Sequence, residues 1–165
     1  MARVTPRNIV FLVLVLVLLA AVPSSLRYAY THGGFYIFSR QFLQDLPKRL
    51  TGPGRFRFIL QPAVAIFLGI RAGKADARSG VPPYLLGLIL GHGRRKQMLK
   101  EALAQLSTLI AVAILLDAIS QFLILRAIYP GAALLVGPVL IALPYSISRA
   151  LANRWVRVRA QAQKA

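Results

Sequence analysis

Residues 102–148 read ALAQLSTLIAVAILLDAISQFLILRAIYPGAALLVGPVLIALPYSIS, and the only formal charges in that stretch are Asp117 and Arg126. Ala102 to Leu125 and Tyr129 to Ser148 are two long apolar runs. At 1.5 Å rise per residue, about 20 apolar residues cross a hydrocarbon core of roughly 30 Å. Arg126 falls in the short turn between the runs, and Lys96, Lys100, Arg149 and Arg154 crowd their outer ends. The pattern is that of a transmembrane helical hairpin, with helices over about 98–126 and 129–150.

The rest of the chain fits the same solvent. It has 165 residues, 57% of them hydrophobic, with a mean hydropathy of +0.62. That is more continuous apolar surface than a soluble domain of this size can bury. The formal net charge of +17 would suggest nucleic acid in a soluble protein. In a membrane protein it reads instead as Lys and Arg retained in cytoplasmic loops, and no nucleic-acid partner is expected. The chain lacks cysteine, which excludes disulfides, thiol catalysis and cysteine metal sites. His32 and His92 stand in separate segments with no carboxylate beside them, a poor start for a metal site.

Towards the N-terminus, Arg3 and Arg7 precede the apolar run Ile9 to Val22. A signal peptide shares that pattern, and Ala20, Ala21, Ser24 and Ser25 supply small residues near a potential cleavage point. The run extends far enough for one crossing and lacks a clear mature start, so an uncleaved helix over about 8–28 is the expectation. Tyr28, Tyr30, Phe35, Tyr36 and Phe38 then read as an interfacial aromatic belt. Over about 35–50, Phe35, Phe38, Phe42, Leu46 and Leu50 share one helical face. Ser39, Arg40, Gln44, Asp45, Lys48 and Arg49 cover the remainder. This predicts an amphipathic helix in the plane of the interface, broken or kinked near Pro47 and ended by Thr51, Gly52, Pro53 and Gly54.

Phe58 to Ile70 is apolar but short. It spans about 54–72 if Arg55, Arg57 and Arg71 snorkel outward, with Pro62 as a kink; the alternative is a re-entrant half-helix. Val81, Pro82 and Pro83 break any helix beyond it. Tyr84 to Leu90 is too short to cross and is placed at the cytoplasmic interface. The fold class expected is therefore an all-α integral membrane protein: a bundle of four transmembrane helices with one interfacial amphipathic helix, in a single membrane-embedded domain.

Charge sets the orientation. Four crossings place the N-terminus, the 71–101 segment and the C-terminus on one side, together with most of the Lys and Arg. The basic 27–57 region is the discordant element. The positive-inside rule then gives cytoplasmic N- and C-termini in a multi-pass protein. Richness in Arg and Ala suggests a bacterial inner membrane.

Three groups of residues stand out. Asp117 lies about 14 Å from the outer end of its helix, at a depth where an unpaired charge is costly. Ser120 and Gln121 share its face. Arg57 with Gln61, or Arg27, are the partners best placed to meet it, because Arg126 points to the other side. Ala65, Gly69, Gly73 and Ala77 form a small-residue stripe suited to helix packing. Arg94, Arg95 and Lys96, with Arg154, Arg157 and Arg159, can hold anionic lipid headgroups or simply set topology. No catalytic constellation, nucleotide loop, haem-ligand pair or metal set is present, so no enzyme activity and no cofactor is expected. The expected role is an accessory, assembly or scaffolding subunit whose partners are lipids and other integral membrane subunits or further copies of the chain. The alternative is a small transporter or channel subunit using Asp117.

Overall fold

The computed structural model describes residues 5–80 and 95–163. Its elements are α1 (Pro6–His32), a 3-10 turn (Tyr36–Phe38), α2 (Arg40–Thr51), α3 (Arg57–Arg78), α4 (Arg95–Leu125) and α5 (Pro130–Ala162). No strand occurs among the described residues. The helices α1, α3, α4 and α5 are each long and apolar enough to cross a membrane. Only 11% of the apolar window of α1 is buried inside the protein. Ile9, Leu12, Leu16, Leu19 and Leu26 face outward, an exterior that water would penalise.

Local chemistry sets the helix ends. Thr5 caps α1 by accepting from the Asn8 backbone N–H, and Pro6 occupies the first turn, where its missing N–H costs nothing. Gly33 closes α1 in the left-handed conformation at φ 68°. Ser39 caps α2 by accepting from the Phe42 N–H. Pro130 opens α5.

Several boundaries differ from the sequence expectation. The 35–50 segment becomes helical only at Arg40, after the 3-10 turn. Pro47 does not end α2, which continues to Thr51. Pro62, the expected kink, lies inside α3. The polar run after Arg71 stays helical to Arg78, and α5 extends to Ala162. The 84–90 segment, His92 and Arg94 lie outside the described residues.

The chain divides into two compact units. The first comprises the described residues up to Ile59 with Thr108–Val139. In it, Leu14 packs with Ala111, Ile114 and Ala133. Tyr28 joins Tyr36, Phe42 and Ala132, with Leu125 against them. Leu14 thus meets the middle of α4 and Tyr28 meets its end, so α1 and α4 run parallel. The second unit comprises the described residues from Leu60 to Ser107 and from Leu140 onward. A Cβ on Gly69 would meet the backbone carbonyl of Tyr145 and the Ser148 hydroxyl; one on Gly73 would meet the Arg149 carbonyl and Ala152. The register advances in the same sense on both helices, so α3 and α5 also run parallel. Glycine is required at both positions because the neighbour is main chain.

Candidate functional site

Asp117 sits on α4, buried at 1% exposure, with two guanidiniums against it. Arg57 Nη1 is 2.7 Å from Oδ1 and donates a hydrogen bond to the Leu116 carbonyl at 3.1 Å. Arg49 Nη1 donates to Oδ2 at 3.4 Å. Gln121, one turn along the helix, donates to the same Oδ2 at 2.6 Å. Its own carbonyl oxygen accepts from the Tyr129 backbone N–H at 2.8 Å. Asp117 is thereby linked to the residue that precedes α5. Ser120 donates to the Pro53 carbonyl at 3.0 Å, which pins the turn after α2 to α4.

Of the residues singled out in the sequence, Asp117, Ser120, Gln121 and Arg57 come together in the first unit. Gln61 is buried too, but its amide has no hydrogen-bond partner among the described residues. Arg126 stands in the turn between α4 and α5 at φ 56°, a left-handed conformation unusual for a side chain of this size.

Arg49 was the residue hidden from sequence reasoning. The expectation put Asp45 and Arg49 on the outward face of an amphipathic helix. Instead Phe42, Asp45 and Arg49 form the buried face of α2, while Phe35, Phe38, Leu43 and Leu50 are exposed. The physical reason is the ion partner. A guanidinium that meets a buried carboxylate loses less by leaving water than one that meets none. The signal was present in the spacing: Asp45 and Arg49 are one turn apart and follow Phe42 on the same side.

The aromatic belt divides for the same reason. Tyr30 and Phe38 project outward at 93% and 87% exposure, whereas Tyr28 and Tyr36 are buried. Tyr36 stacks on Tyr129 with centroids 3.9 Å apart and meets Tyr28 and Phe42 edge-on. The Arg49 guanidinium carbon lies 5.8 Å from the Tyr36 ring and 5.5 Å from the Phe42 ring, within cation–π range. Tyr36 donates its hydroxyl to Asp45 at 2.9 Å, and Lys48 holds the other carboxylate oxygen at 2.7 Å. Burial, reinforced by the bond to Asp45, pushes the Tyr36 phenol well above its ordinary range. Burial likewise raises Tyr129.

The buried charges of this unit thus comprise two carboxylates and two guanidiniums. Nε and Nη2 of both Arg49 and Arg57 have no hydrogen-bond partner among the described residues. The cluster is held by charge balance more than by complete hydrogen bonding.

The second unit has its own pair. Arg149 donates from Nε and Nη2 to the two oxygens of Asp76, at 2.6 and 3.0 Å, in the bidentate geometry. Its Nη1 donates to the Tyr145 hydroxyl, which donates in turn to Gln105. This chain of bonds ties α3, α5 and α4 together beside the Gly69 and Gly73 contact, and Ala65 is fully buried on the same stripe. Neither Asp76 nor Arg149 is among the site residues that the sequence alone singles out.

Of the basic residues, Lys96, Arg154 and Arg159 are exposed and Arg157 is half-buried; the Arg95 side chain lies outside the described residues. Arg159 sits over the Trp155 ring at 3.7 Å. Among the described residues no three His, Cys, Asp or Glu side chains gather as a metal site, and His32 stacks on Tyr28 in the last turn of α1. No family model, curated protein or solved structure matches the chain.

Proposed function

We propose that this chain is a small, non-enzymatic, multi-pass protein of a cell inner membrane, serving as an accessory, assembly or scaffolding subunit of a larger membrane complex. The observation that carries the reading is the engagement of the acids. The chain has four Asp and Glu residues. Asp117 is held by two guanidiniums, Asp76 by one, Asp45 by Lys48 and Tyr36, and Glu101 accepts from Gln97. A proton or cation pathway through Asp117 would first have to displace an arginine. Three of the four acids, Asp45, Asp76 and Asp117, are committed to ion pairs, which suits a protein whose own shape is what it contributes.

Purification from the native membrane in mild detergent tests this. Stable company with one large complex is the expected result; a lone homo-oligomer with solute flux in proteoliposomes would favour a transporter or channel subunit.

The proposed orientation has cytoplasmic N- and C-termini. Within the first unit α1 and α4 run parallel, and within the second α3 and α5 do, as alternating crossings require; the bias of Lys and Arg sets the side. Reporter fusions after Ala165 and within 72–79 should both read cytoplasm, and one at Ala127 should read the opposite side. Disagreement between the two cytoplasmic sites would make α3 re-entrant.

A further inference from the structure

In the second unit a groove of about 920 Å³ runs between α3 and α5. Its walls are apolar, with Ile66, Ile70, Pro144, Ile147 and Leu151 prominent among them, and its floor includes the small residues Ser148 and Ala152. The close approach at Gly69 and Gly73 makes it a cleft between two touching helices. Its charged lining residues are Lys74 and Arg154, both cations. Each is exposed and neither has an ion pair with a described residue. Trp155 lines the same end, half-exposed and backed by Arg159.

The distance from the inner lining residues to the two cations matches one leaflet, with Val158 continuing the α5 wall one turn beyond Arg154. From Pro144 to Arg154 the rise along α5 is about 15 Å, and from Ile66 to Lys74 along α3 it is about 12 Å. Half of a hydrocarbon core of roughly 30 Å is about 15 Å. Because α3 and α5 are parallel, both cations stand toward the same end of the groove, about half a hydrocarbon core from its other end. Tryptophan favours the interfacial level.

We propose that this groove is a binding site for an anionic phospholipid, with an acyl chain along the cleft and the phosphate held between Lys74 and Arg154. Two cations without a lining acid favour a headgroup of net negative charge over a zwitterionic one. A docked apolar helix would satisfy the walls but leave Lys74 and Arg154 without a counter-charge. The inference rests on the helices lying in a bilayer, which the reporter fusions test separately.

The test is native mass spectrometry of the full-length protein in detergent. Palmitoyl-oleoyl phosphatidylglycerol and phosphatidylcholine, which share their acyl chains, are titrated in parallel. Wild type should retain phosphatidylglycerol preferentially. Lys74→Gln and Arg154→Gln should each weaken that retention about fivefold, the worth of one cation near an anionic lipid, and together should remove the preference. Leu151→Trp, which fills the cleft and spares both cations, should reduce binding of both lipids. Equal retention of the two lipids by wild type would overturn the proposal. So would a preference that survives in the double variant, or a protein dimer that forms as lipid leaves.

Discussion

Asp117→Asn is expected to be almost as damaging as Asp117→Ala. Had the carboxylate met one neutral partner, the amide would preserve an acceptor and the change would be mild. It meets two buried guanidiniums, at 2.7 and 3.4 Å, and either substitution leaves both without their counter-ion. Breaking a buried pair by removing one partner costs about 3–5 kcal/mol. The melting temperature in detergent and the level of accumulated protein should therefore fall for both variants together. Arg57→Gln should be more damaging than Arg49→Gln. Arg57 makes the shorter ion pair and also holds the Leu116 carbonyl, and its loss leaves Asp117 with the more distant cation. A well-folded Asp117→Asn that loses a measurable flux would instead assign the charge to transport.

The second large effect concerns the contact of α3 with α5. Asp76→Asn removes the carboxylate that receives both Nε and Nη2 of Arg149, and should also cost about 3–5 kcal/mol. Gly73→Ala places a methyl against the Arg149 carbonyl. Main chain within a helix cannot swing aside as a side chain does, so the two helices must separate, at about 1–3 kcal/mol for overpacking. Separation also lengthens the Asp76–Arg149 bonds. The double variant should therefore lose less than the sum of the two single losses, measured by unfolding in a denaturing detergent. Full additivity would show that the glycine contact and the ion pair act independently.

Of the four long helices, α1, α4 and α5 were legible because one physical quantity, the length of an apolar run, decides them; the run of α3 is too short to decide it alone. Their ends were less so. The sequence reading stopped α3 near residue 72, where charged residues begin, but Asp76 finds Arg149 and the helix continues to Arg78. A charge reads as a helix terminus only while its partner is unknown, and that partner lies 73 residues away. The same holds for Arg49, whose partner Asp117 is 68 residues distant. Asp117 itself was conspicuous because its neighbours in the sequence are apolar. The polar face of α2 was misassigned because a face rich in Asp and Arg suits water or a buried counter-charge equally well. Gly69 and Gly73 showed a spacing that allows close approach, and the identity of the helix approached lay outside any local window.

Arg49 and Arg57 both precede Asp117 in the chain, so synthesis delivers the cations before the anion. Until α4 emerges, two guanidiniums lack the carboxylate that later neutralises them. Asp117 then arrives with counter-charges already made. In the proposed bilayer setting, an isolated α4 would carry its carboxylate into hydrocarbon unassisted, at about 2.5–3.5 kcal/mol. The order of residues thus matters to biogenesis as well as to the finished fold: the cluster is closed by the last of its charges to leave the ribosome.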